Sequence, residues 1–191
     1  MKPYAAVAAV DVLLSAAGRH RERWVTKPLL MPLLARGKDD RVRRALALGG
    51  AGDVALLGSG PVAFTAGLGA FLAGHAAWVA ALRPQSAGVL ARRPVAALPY
   101  VVAWAGLNGY LWSRTGKDRL PVLVYSTALL TTALAALDTG EPDVATGGAL
   151  FLVSDALLAL ERFGDVHLPA HEGLVMASYT SAQALLARVS R

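Results

Sequence analysis

Residues 45–82 contain only two side chains able to carry a full charge, Asp53 and His75. A run of that length accommodates two membrane spans of about 20 residues each. It cannot be wrapped into a water-soluble domain of ordinary composition, in which about a quarter of residues are charged; here 17% are, and 55% are hydrophobic. The expectation is an all-α, polytopic transmembrane helical bundle forming one integral membrane domain over residues 1–191. The absence of cysteine rules out disulfides, thiolate metal sites and cysteine nucleophiles. The opening "MKPYAAVAAVDVLLSAAG" has the basic start and apolar run of a signal peptide. Asp11 inside that run, and the many apolar segments after it, make it a first span instead.

Charge clusters, prolines and glycines divide the chain into eight apolar segments: 3–17, 24–35, 44–57, 62–82, 94–113, 120–137, 144–160 and 168–189. The second and third are short for a span, so flanking residues or tilt must complete them. Pro28 and Pro32 predict a kink in the second. "GSGP" at 58–61 predicts a tight hairpin between the third and fourth. "GDVALL" at 52 and "SDALLAL" at 154 echo each other in the third and seventh segments, the pattern of a parallel four-plus-four repeat.

The net charge of +6 would suggest nucleic acid in a soluble protein. In a membrane chain the basic loops "RHRERW" and "RGKDDRVRR" meet lipid headgroups instead, and no nucleic-acid partner is expected. With eight spans both termini share a side. Eleven of the nineteen Lys and Arg lie there, Arg191 among them, which orients both termini to the cytoplasm of a cell inner (plasma) membrane.

Polar groups within apolar segments carry the functional information, because lipid offers them no hydrogen bonds. Asp11, Asp53 and Asp155 each lie four to six residues from segment ends that open on one side, and Lys27, Asn108 and Tyr125 fall at the same level. At about 1.5 Å per residue they share a slab roughly 6–9 Å below that surface. His75, Tyr179 and Gln183 lie deeper. Phe71, His75 and Trp78 share one helix face, as do Tyr179 and Gln183. A polar cavity entered from one side would be lined in this way. Asp11 reads as structural; either Asp53 or Asp155 has a weaker alternative as a structural carboxylate paired with Lys27 or a tyrosine hydroxyl, and Tyr179 and Gln183 could equally be interhelical glue.

Two aspartates and a histidine also suit a hard metal, but paired histidine spacing is missing from the apolar segments. His167 and His171 are four apart, yet a proline lies between them at a loop-to-helix junction. No metal and no cofactor are expected. A serine hydrolase is disfavoured as well. There is no G-x-S-x-G elbow, and Ser154 and Asp155, adjacent on a helix, point about 100° apart.

With these residues in hand, the chain resembles the YhhN family of lysoplasmalogenase-like membrane proteins over nearly its whole length. The resemblance rests on "KPLLMPLL" at 27, "GDVALLG" at 52, "FTAGLGAFLAGHAAWV" at 64–79, "PVLVYSTALL" at 121, "GGALFLVSDALLALERF" at 147 and "YTSAQALL" at 179. It implies eight helices and cleavage of the vinyl ether bond of lysoplasmalogens to a fatty aldehyde and glycerophosphoethanolamine or glycerophosphocholine. The expected partners are thus a lysophospholipid substrate and membrane lipids. The family motifs carry Lys27, Asp53, His75, Tyr125, Asp155, Tyr179 and Gln183 onto this sequence; Asn108 enters from its depth alone. Trp78 stands where the family often has tyrosine.

Vinyl ether hydrolysis begins with a proton delivered to carbon, and water then attacks the oxocarbenium ion. It needs one carboxylic acid and one ionised group near neutral pH. Asp155 is expected as the acid and Asp53, near Lys27, as the carboxylate that orients water. His75, Tyr125, Tyr179, Gln183 and Asn108 would hold headgroup or water. The alternative is a lipid-binding or transporter-like protein using the same cavity without hydrolysis.

Overall fold

The computed structural model describes residues 2–189, so Met1, Ser190 and Arg191, the last counted in the charge asymmetry, lie outside the described residues. Among the described residues there are nine α-helices and no strand. They are α1 (Lys2–Ala16), α2 (Arg23–Leu34), α3 (Asp40–Ala55), α4 (Pro61–Leu82), α5 (Val89–Arg92), α6 (Leu98–Leu111), α7 (Arg119–Asp138), α8 (Pro142–Gly164) and α9 (His171–Leu186). Each apolar segment holds one of the longer helices; α5 is a single turn between the fourth and fifth segments.

The boundaries differ from the pattern where local chemistry overrides it. The third helix starts at Asp40 rather than at 44, because the Asp39 carboxylate accepts from the backbone N–H of Arg41 (2.9 Å) and Val42 (3.1 Å). That N-cap satisfies the free donors of the first turn, so part of a charge run becomes helix. The fifth segment opens as a 3₁₀ turn, Pro94–Ala97, and its α-helix begins at Leu98 with Pro99 in the first turn. The last helix begins at His171, after Pro169 and a left-handed Ala170 (φ 53°). Helix α2 runs unbroken through Pro28 and Pro32. The "GSGP" turn works as its sequence suggests: Gly60 takes φ 93°, open to glycine alone without strain, and Pro61 starts α4.

Seven helices close a ring. Helix α1 packs on α2, α2 on α3, α3 on α4, α4 on α7, α7 on α8, α8 on α9, and α9 returns to α1; α6 flanks α7 and α8. The polarity is inside out relative to a water-soluble protein. Asp11, Lys27, Asp53, His75, Thr132 and Gln183 are buried, whereas Leu13, Val25, Val62 and Leu120 each expose two thirds or more of their surface. Lipid, not water, suits such an exterior. Three stretches, Pro61–Gln85, Gly116–Asp138 and Pro142–Gly164, are long and apolar enough to cross a membrane by length and composition. The chain is an all-α integral membrane protein.

Helix α8 packs backbone to backbone against two neighbours, and glycine is the reason. A Cβ at Gly147 would lie 2.7 Å from the Leu186 nitrogen of α9, and one at Gly148 would lie 3.0 Å from Ala133 Cα of α7. Small residues let transmembrane helices approach until backbones touch. Two turns beyond Gly148 on the same face is Asp155, which this contact fixes against α7.

Candidate active site

The antiparallel packing of α7 and α8 brings Tyr125 opposite Asp155. The Tyr125 hydroxyl donates to Asp155 Oδ2 at 2.5 Å. Behind Tyr125 stands His75 of α4, with Nε2 3.4 Å from that hydroxyl and Nδ1 3.1 Å from Thr132 Oγ1. The imidazole is pinned from both sides, so it braces the tyrosine that holds the aspartate.

Across the cavity Asp53 of α3 has different company. The Tyr179 hydroxyl of α9 donates to Asp53 Oδ2 at 2.8 Å, and Lys27 Nζ of α2 lies 3.4 Å from Oδ1. The carboxylate is 2% exposed and the lysine 9%. Among the described residues no cation lies within ion-pair distance of Asp155. The two carboxyl sites are joined by a wall of rings: His75 to Phe151 with centroids 4.8 Å apart, and Phe151 to Tyr179 at 5.6 Å.

A cavity of about 460 Å³ opens on both aspartates. Lys27, Tyr125, Tyr179 and Asn108 line it beside them, and α4 and α6 add an apolar wall of Leu68, Phe71 and Leu107. Its size falls in the range of small-molecule pockets, and its lining combines an apolar majority with a set of polar and charged side chains. One end can thus hold a polar, reacting group while the rest receives an alkyl chain.

Two residues expected to line the cavity do not. His75 and Gln183, each 1% exposed, stand behind its wall. Gln183 follows Tyr179 by one turn on α9 and shares its packing. A Cβ at Gly49 would sit 3.4 Å from the Tyr179 hydroxyl and 3.5 Å from Gln183 Nε2. Asn108 does line it, but its polar atoms are engaged locally: Nδ2 donates to the Trp104 carbonyl (2.8 Å), and Oδ1 accepts from the Ser126 hydroxyl (3.1 Å), tying α6 to α7. Asp11 is buried outside the cavity. It accepts from Thr26 Oγ1 at 2.6 Å and faces Arg23.

Arg23, His20 and Glu172 line the cavity mouth and were not singled out by the sequence reading. Arg23 lies in the motif read as a headgroup loop, yet it begins α2 one turn before Lys27, and that spacing was the available signal. Among the described residues no three His, Asp or Glu side chains are grouped to hold a metal ion.

The sequence model of the YhhN family matches residues 22–189. Two curated relatives, the lysoplasmalogenases of Mycobacterium bovis and Mycobacterium tuberculosis, are each 35% identical over 133 residues, covering 65% of this chain and 49% of theirs. The chain spans about half the length of the curated relatives it matches. No solved structure matches it.

Proposed function

The chain belongs to the YhhN family, and from that premise we propose that it is a membrane-embedded hydrolase that cleaves the vinyl ether bond of a lysoplasmalogen-type lysophospholipid. The products are a fatty aldehyde and the glycerophospho-headgroup. The eight longer helices cross the bilayer of the plasma membrane in two halves of four, with both termini cytoplasmic.

The observation that carries the chemistry is the unequal company of the two aspartates. Asp53 is paired with the Lys27 ammonium and so acts as the carboxylate. Among the described residues Asp155 meets a neutral hydroxyl and no cation, and it acts as the acid, its Oδ1 left to carry the proton while Oδ2 accepts from Tyr125. Asp155 delivers that proton to the vinyl carbon remote from oxygen. The C=C pair forms the new C–H bond, and the ether carbon becomes an oxocarbenium ion. Asp53 removes a proton from water as its oxygen bonds to that carbon. The resulting hemiacetal collapses to the aldehyde, its hydroxyl proton passing to the departing glycerol oxygen. A proton transfer from Asp53 to Asp155 resets the pair.

General acid–base groups of this kind contribute about 10²–10⁴-fold in rate. In detergent the purified protein is expected to release aldehyde from a 1-alkenyl lysophospholipid. Asp53→Asn and Asp155→Asn should each lower turnover by about that factor, while both variants elute as the folded protein. Undiminished release by either variant would overturn the assignment. Tight binding of the lipid without release from any vinyl ether would favour the lipid-binding or transporter alternative.

A further inference from the structure

At the mouth of the cavity lies a set of charges that the reaction above does not use. The Arg23 side chain, 8% exposed, places Nε and Nη2 each 3.4 Å from Asp11 oxygens and Nη1 3.4 Å from Glu172 Oε2. His20 Nδ1 is 3.5 Å from the same Glu172 oxygen. All four separations exceed the roughly 2.7–2.9 Å of a charge-assisted hydrogen bond. The guanidinium is buried and surrounded, but not closely coordinated. Arg23, His20 and Glu172 face the cavity; Asp11, entirely buried, anchors Arg23 from behind.

The charge of this set constrains its ligand. Leaving His20 aside, one guanidinium stands between two carboxylates, and Arg162 and Glu161, which line the same cavity, offset each other, so the balance is one negative charge. A bare anion gains Arg23 and is repelled by Glu172. A molecule bringing an anion for Arg23 and a cation for Glu172 satisfies both. Distance adds a second constraint. Arg23 precedes Lys27 by four residues on α2, about 6 Å along the axis. In a 1-alkenyl glycerophospholipid the ether oxygen and the phosphorus are separated by five single bonds, on the order of 6 Å when extended.

We propose that Arg23, His20 and Glu172 form the headgroup subsite for a zwitterionic phosphoamine lysolipid. The phosphate meets Arg23 and His20, the ammonium meets Glu172, and the ether oxygen reaches the level of Lys27 and the two aspartates. The chain then runs along the apolar wall of α4 and α6. The register of ether to headgroup rests on the hydrolase reading, whereas the charge selection does not.

Titration calorimetry on the full chain in detergent tests this with 1-O-alkyl lysophosphoethanolamine, which has no vinyl ether and cannot be cleaved. The comparison ligands are 1-O-alkyl glycerol 3-phosphate, which lacks the ammonium, and free phosphoethanolamine, which lacks the chain. The zwitterionic lipid is expected to bind about tenfold more tightly than the phosphate monoester, a ratio that falls to about twofold in Glu172→Gln. His20→Gln should weaken both lipids severalfold. Arg23 stays in place, because removing it would strand the buried Asp11 carboxylate. Equal affinities in the unmodified protein, a ratio unchanged by Glu172→Gln, or free phosphoethanolamine binding as tightly as the lipid would each overturn the subsite. Selective binding without hydrolysis would support the subsite and sink only the reaction; hydrolysis without headgroup selection would sink only the subsite.

Discussion

Around Asp53 a lysine and a tyrosine hydroxyl converge, while around Asp155 a tyrosine hydroxyl is braced from behind by a histidine and no cation comes within ion-pair distance among the described residues. The side chains are identical and both tyrosines donate. The difference in charge is Lys27. In a low-dielectric bundle an uncompensated carboxylate is expensive and a paired one is tolerated, so a single lysine can divide an acid from a base. Lys27 is fixed for that purpose by α2, whose backbone packs on α1 and α3 and directs the ammonium inward.

Loss of either aspartate is the largest expected effect, but the two losses should differ in kind. Azide, a small anionic nucleophile, is expected to restore part of the turnover of Asp53→Asn by attacking the oxocarbenium ion in place of water. It should not restore Asp155→Asn, which never forms the cation. Rescue of Asp155→Asn with none for Asp53→Asn would reverse the roles.

The next effect is on stability. Lys27→Met leaves a buried carboxylate without its partner, a change that costs about 3–5 kcal/mol in buried pairs. Thermal unfolding in detergent should show that loss, and Lys27→Met combined with Asp53→Leu should recover most of it without recovering activity. Full stability of Lys27→Met alone would mean the pair does not hold Asp53 ionised.

The tyrosines come next. A hydrogen bond to a charged group contributes about 1.5–3 kcal/mol, so Tyr179→Phe removes one of two supports of Asp53 and should cost roughly tenfold in kcat. Tyr125→Phe removes the hydroxyl that holds Asp155 and should cost more. The smallest effect is expected at His75, which reaches the substrate only through Tyr125. His75→Ala should lower kcat severalfold with little change in KM, and His75→Gln, which can still reach toward Tyr125, should recover part of the loss. A change in KM alone would place His75 against the substrate instead.

Much of this architecture could be read along the chain. Apolar segments between charged or Pro/Gly-rich breaks give helices in lipid almost by necessity, since every backbone polar group must be satisfied internally. The errors fall where a local hydrogen bond or a missing donor decides, as at the Asp39 cap and at Pro94 and Pro169. Rise per residue put Asp53, Asp155, Lys27 and Tyr125 at one level, and all four line one cavity, but Tyr179, expected deeper, lines it too and donates to Asp53. What depth and helical face cannot supply is the neighbour. Tyr179 and Asp53 are 126 residues apart and meet because the ring closes α9 against α1 and α8. His75 has the right face for a cavity residue, yet it is buried against Tyr125, Thr132 and Phe151 and does not line the cavity. Arg23 was assigned to a loop by its basic surroundings, although its spacing from Lys27 puts both on one face.

The division between the two aspartates is tested most directly by infrared spectroscopy of the resting protein in H₂O and D₂O. The account predicts an exchange-sensitive carboxylic-acid C=O band at neutral pH that disappears in Asp155→Asn and persists in Asp53→Asn. A band that persists in Asp155→Asn and disappears in Asp53→Asn would contradict it.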